Sequence, residues 1–202
     1  MYDKYEPEIY DIIKKVSNWY KKNDYYMINV WCNVWRRGIA CAKQFWYNVL
    51  AFEPAPETYR RLKINTLLSN LENKIETFNI WLWDENNIMK FDYVPQFNWI
   101  SKVITEWDKI EWEVIEVPIK RFDDLHIDKE KITKTRLMIM DVEWFEYHAL
   151  KWMQNTLKEF HDISIIIEIW DQDKDKNKTI DFMKSLWYSI KRIDKTNWLF
   201  SK

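Results

Sequence analysis

Glycine is almost missing from this chain. Its 202 residues include one glycine, Gly38, where average usage of about 7% would give roughly 14. Turns and helix C-termini of a soluble domain call for glycine. Either the fold does without them or the written letters differ from the native residues. Cysteine is also scarce. Cys32 and Cys41 flank an expected turn and helix, which suits two free thiols of a reduced compartment better than a bridge. Three histidines without Cys/His ligand spacing argue against a structural zinc site, and no metal site is expected. No apolar run is long enough to span a bilayer, and the charged N-terminus lacks a signal-peptide hydrophobic region, so a cytoplasmic protein is expected. The net charge of -1 lacks the basic excess that nucleic acid or an anionic membrane surface would attract.

What is present is an ordinary apolar share, 47%, and an abnormal count of 14 tryptophans. The length suits one domain, with residues 1–24 as a helical extension and 25–202 as the domain proper. Apolar spacing predicts helices over 6–22 and 35–45, from Pro56 to about Ser69, from Glu146 to Lys158, and over 179–186. Strands are expected at 25–30, 48–52, 74–80, 88–94, 113–119, 135–142 and 162–170, followed by a terminal hairpin. The stretch 95–112 reads as a long loop. Strands alternating with helices imply an α/β fold with a mostly parallel sheet covered on both faces.

Ligands of such sheets bind beyond the carboxyl ends of the strands, near the switch in strand order. The first strand runs into Ile28-Asn29-Val30-Trp31-Cys32-Asn33-Val34-Trp35, a turn that opens a helix. The second ends at Ala51-Phe52-Glu53-Pro54. A helix N-terminus and an acid at the next strand tip suit the polar part and the ribose hydroxyls of a nucleoside ligand. Asp141, Glu143 and Glu146 follow the fourth core strand, and Asp141 and Glu143 should face the same crevice as Glu53. They can orient a hydroxyl, take its proton or hold a cation, or serve the helix dipole. Glu168 is a further crevice candidate. His148 reads as a surface or packing residue.

These residues together resemble the FkbM family of S-adenosylmethionine-dependent methyltransferases. The family pattern Asp-Val-Gly-Ala-Asn-x-Gly is matched by Asn29 through Trp35, and Ala-Phe-Glu-Pro-x-Pro is intact as Ala51 through Pro56. Leu62-Lys63-Ile64-Asn65, Leu82-Trp83-Asp84-Glu85 and Val117-Pro118 through Asp123-Asp124-Leu125 follow in order. The family's Asp-Val-Glu-Gly-x-Glu-x-x-Ala-Leu-x-Gly is similar to Asp141 through Trp152, and its late Leu-Gly-Tyr to Leu186-Trp187-Tyr188. The resemblance implies a Rossmann-like class I methyltransferase fold with a seven-stranded sheet. It implies S-adenosyl-L-methionine as cofactor and transfer to an oxygen of a sugar or small glycosylated acceptor. Cofactor contacts would come from Asn29, Trp31, Cys32, Asn33, Trp35, Glu53, Pro54, Asn79, Ile80 and Asp84. Asp141 and Glu143 would act on the acceptor, and the loop at 95–112 would cover it. A non-catalytic binding protein on the same fold is the alternative.

Two departures stand out in the comparison. Asn29 replaces the first acid, and Ile139 stands where the family often has a lysine. More unusual, Trp31, Trp35, Trp144, Trp152 and Trp187 fall on family glycines, and Trp46 sits where glycine commonly precedes the second strand. Trp81, Trp99, Trp107 and Trp112 lie in turn-like contexts, whereas Trp19, Trp83, Trp170 and Trp198 fit apolar patterns. UGA is tryptophan in one variant code and glycine in another, so UGA glycines read with the tryptophan table would produce this pattern.

Overall fold

The computed structural model describes residues 7–19, 24–33, 36–94, 102–104, 109, 112–142 and 144–202. In chain order the elements are α1 (Pro7–Trp19), β1 (Tyr26–Val30), α2 (Arg36–Gln44), β2 (Asn48–Phe52), α3 (Pro56–Leu68), β3 (Ile75–Phe78), β4 (Trp81–Leu82), β5 (Asn87–Tyr93), β6 (Lys102–Val103) and β7 (Glu113–Lys120). A short 3-10 turn at Phe122–Asp124 leads to α4 (Lys129–Thr133), β8 (Thr135–Met140), α5 (Glu146–Lys151), α6 (Gln154–Glu159), β9 (Ser164–Glu168), α7 (Lys176–Ser185), β10 (Ser189–Arg192) and β11 (Asn197–Ser201).

Seven strands form the main sheet in the order β10-β11-β9-β8-β1-β2-β3. The β1–β2, β2–β3, β1–β8 and β8–β9 pairs are parallel, and the terminal hairpin joins antiparallel through β11 and β9. The order reverses between β1 and β8, which places the switch point there. The central strands read as unbroken apolar runs because both of their faces are buried. In β8, Leu137 and Ile139 pack with Ile9 and Ile13 of α1, Ile39 of α2 and Leu62 of α3. Met138 and Met140 point the other way, toward Leu150 of α5, Leu157 of α6 and Met183 of α7.

The expected strands at 88–94 and 113–119 are present but stand outside the main sheet. They pair antiparallel as β5 and β7 in a second sheet of order β4-β7-β5-β6. Of the expected loop at 95–112, residues 102–103 form β6 against β5, and most of the remainder lies outside the described residues.

The single helix expected from Glu146 to Lys158 is two helices. Met153 turns into the core, 0% exposed, and the Asp123 carboxylate accepts the N–H groups of Asn155 and Thr156 at 3.0 Å each. Those donors are orphans of a helix start, and their capping fixes α6 as a separate helix. Helix α7 begins at Lys176, earlier than expected. Helix α4, not anticipated from periodicity, is capped by Asp128, which accepts from the Glu130 N–H at 2.8 Å.

Seven described non-glycine residues have positive φ. Three are Asn33 (53°), Asn70 (54°) and Asp162 (56°), residue types that tolerate the left-handed region. The other four are Trp31 (56°), Trp46 (64°), Trp144 (79°) and Trp187 (68°), where a bulky side chain is a true outlier. No helix among the described residues is long and apolar enough to cross a membrane.

Candidate functional site

The turn after β1 and the tip of β2 are bound to each other. Cys32 donates its N–H to the Phe52 carbonyl at 3.0 Å. Asn33 donates its N–H to Glu53 Oε2 at 2.8 Å, and Ala55 donates to Glu53 Oε1 at 3.0 Å. Glu53 is fully buried. Burial pushes its carboxyl up to about 8, and the two N–H donors pull the other way. Asn79, just past β3, donates its Nδ2 to the carbonyls of Glu53 and Pro54 at 2.9 and 2.8 Å. Its amide nitrogen therefore holds the strand-tip loop in place.

Beside this clasp lies a cavity of about 10 Å³ lined by Val30, Trp31, Phe52, Pro54, Ile80, Trp81, Leu82 and Val142. The indole of Trp31 packs on that of Trp81, with ring centroids 5.0 Å apart. A space of this size holds about one water, whereas small-molecule sites run to about 300–1,000 Å³. Trp31 is one of the residues that close this space.

Of the expected cofactor contacts, Trp31, Pro54 and Ile80 line the cavity, and Cys32, Asn33, Glu53 and Asn79 form the clasp. Asn29 is 2% exposed and faces α2. A Cβ on Gly38 would sit 3.5 Å from its Nδ2, and that nitrogen has no hydrogen-bond acceptor among the described residues. Asp84 lies past β4 and does not line the cavity. Trp35 and Glu143 lie outside the described residues.

Asp141 leaves the end of β8, and its Oδ2 is 3.6 Å from Arg37 Nη1 of α2. This pair bridges the switch point. Glu146 is 2% exposed and accepts the Val142 N–H at 3.2 Å. Burial pushes its carboxyl up to about 8, and the nearby Asp173 and Asp141 add to the rise. Asp175 Oδ2 stands 3.9 Å from His148 Nε2, and the His148 ring stacks on Trp83 with centroids 5.9 Å apart. Glu168 is occupied by the terminal hairpin, where its Oε1 accepts from Thr196 Oγ1 at 3.0 Å. Arg37 was not legible as a site residue, because its partner is distant in sequence. Among the described residues no cluster of three His, Cys, Asp or Glu could hold a metal ion.

The chain matches the Methyltransferase FkbM domain over residues 22–190. No curated protein matches it. Among solved structures it is similar to methyltransferase FkbM from Methylobacillus flagellatus, at 15% identity and TM-score 0.61, covering 89% of this chain and 44% of that one. The chain thus spans less than half the length of that protein. It is also similar to an RNA methyltransferase from Salinibacter ruber in complex with S-adenosyl-L-homocysteine, at 7% identity and TM-score 0.50, covering 94% and 88%. A third is a precorrin-6y C5,15-methyltransferase from Geobacter metallireducens, at 8% identity and TM-score 0.52, covering 94% and 85%. These likenesses establish the class I methyltransferase fold, and the proteins named differ in what they methylate. With the family match extending across most of the sequence, the chain belongs to the FkbM methyltransferase domain family.

Proposed function

We propose that this protein is an S-adenosylmethionine-dependent O-methyltransferase whose acceptor is a sugar or a small glycosylated molecule, with residues 25–202 as the catalytic domain and 1–24 as a helical extension. The observation that supports this reading is Asp141, a partly exposed carboxylate at the end of β8, the strand beside the switch point. A carboxylate there suits the hydroxyl of a neutral acceptor. Asp141, steadied by Arg37, is the group placed to orient or deprotonate an acceptor hydroxyl. Glu53 holds the turn that would carry the cofactor. The protein isolated from its source organism, given S-adenosylmethionine labelled in its methyl group, is expected to label neutral oligosaccharides and not RNA. Label in RNA alone would refute the acceptor class.

A further inference from the structure

The cavity too small for a cofactor and the left-handed backbone at four tryptophans have a common cause. We propose that the native polypeptide carries glycine at positions 31, 46, 144 and 187, and that glycine at 31 opens the cofactor seat that the Trp31 indole fills. The consequence for the seat rests on the methyltransferase reading above. The assignments at 46, 144 and 187 rest on backbone geometry alone.

Position 187 shows the reasoning best. At the end of α7 the Tyr188 N–H returns to the Met183 carbonyl at 3.2 Å and the Trp187 N–H to Lys184 at 2.9 Å. This pair of bonds requires a left-handed residue at 187, the place where glycine is the usual occupant and asparagine the usual substitute. The same chain ends α3 in the same way, with Leu71 N–H on Thr66 at 3.1 Å and Asn70 N–H on Leu67 at 2.9 Å, and it uses asparagine there. At 187 the indole is 87% exposed, so no packing compensates for its strained backbone. Trp46, past the end of α2, is 57% exposed, and Trp144, before α5, is 43% exposed. Both again lack the burial that could hold an indole in the left-handed region.

The remaining described tryptophans differ in having no positive φ. Trp81 is 3% exposed in β4 and packs on Phe91 at 4.2 Å. Trp198 lies in β11 beneath Lys176 and Arg192, whose charged groups lie 5.4 and 5.2 Å from its ring. Neither has positive φ. Apart from asparagine and aspartate, tryptophan is the only non-glycine residue type at positive φ among the described residues. Strain of this kind selects for glycine, and a single codon read as glycine in one code and tryptophan in another selects for both letters at once.

At position 31 the consequence is functional. Trp31 lines the cavity together with Val30, Pro54, Ile80 and Trp81, and its ring packs on that of Trp81 at 5.0 Å, next to the clasp made by Glu53. Without it the turn presents bare backbone to the cavity, as close approach to a nucleoside ligand requires.

Peptide mass spectrometry of the protein from its source organism is expected to find glycine at all four positions, and sequencing of the gene to find UGA at each of these codons and UGG at Trp198. Tryptophan at 46, 144 or 187 would overturn the backbone assignment. The seat is tested on recombinant chains by titration with S-adenosylmethionine. Trp31→Gly is expected to tighten binding at least tenfold over the written chain, and equal binding would overturn the seat. Trp187→Gly, remote from the cavity, is expected to raise the melting temperature by roughly 4 °C; a fall would overturn the assignment at 187. Absence of methyl transfer to every acceptor, with glycine found at the four positions, would refute the enzymatic reading and leave these assignments standing.

Discussion

The backbone N–H of Asn33 donates to Glu53 Oε2 at 2.8 Å, so the turn after β1 is fixed by the residue at the tip of β2. The other oxygen of the same carboxyl accepts from Ala55. One buried side chain thereby sets the spacing of both loops that border the cavity.

Removing that side chain should loosen both loops. Glu53→Ala leaves two backbone donors without their acceptor, at a cost of about 2–4 kcal/mol of folding stability. In a chain with glycine at position 31 it should also weaken S-adenosylmethionine binding by about 1–3 kcal/mol. Urea denaturation and calorimetry measure the two effects separately. Unchanged affinity would move the ribose contact away from Glu53.

Glu53 and Glu146 make stability depend on pH. Both carboxyls are pushed up to about 8 by burial, so the folded chain keeps protons that the unfolded chain has already lost. The stability these two groups contribute is therefore greatest below the ordinary carboxylate range. It should fall as pH rises through about 5 to 8 and level off above, by roughly 3 kcal/mol or less per group. Glu146→Gln should flatten part of this slope. Urea midpoints measured from about pH 5 to about pH 9 check the sign, and a rise in stability over that interval would contradict the burial of these groups.

Asp141 and Arg37 meet across the switch point at 3.6 Å. In a chain with glycine at the four left-handed positions, Asp141→Asn should lower kcat by about 10²-fold or more while S-adenosylmethionine affinity stays close to its parent value. An equal loss in both would place Asp141 on the cofactor side.

Asp123 joins the 3-10 turn to α6 through the N–H groups of Asn155 and Thr156 and the Thr156 hydroxyl. Asp123→Ala should cost about 1–2 kcal/mol, the usual loss on removing a helix cap. Thermal melting reads this directly, and a neutral result would mean that α6 needs no cap from the turn.

The core strands were legible because burial on both faces leaves unbroken apolar runs, as in Asn48 through Phe52. The terminal hairpin showed itself by alternation and by the polar turn between its arms. The break between α5 and α6 was not legible. It depends on Asp123, which reaches the helix from a turn about thirty residues earlier in the chain. The second sheet was hidden for a related reason. Residues 87–93 and 113–120 have strand periodicity, but periodicity does not say which sheet a strand joins.

The sequence by itself determined the alternation of strands and helices, the acid at the tip of β2 and the excess of tryptophan over glycine, since these follow from residue type and local spacing. The tertiary structure alone decided that Glu53 turns inward to clasp the Asn33 N–H, that Arg37 meets Asp141, and which tryptophans occupy left-handed backbone. Hydrogen bonds between distant loops and the sign of φ are set by how the chain closes on itself, and no single segment carries that information.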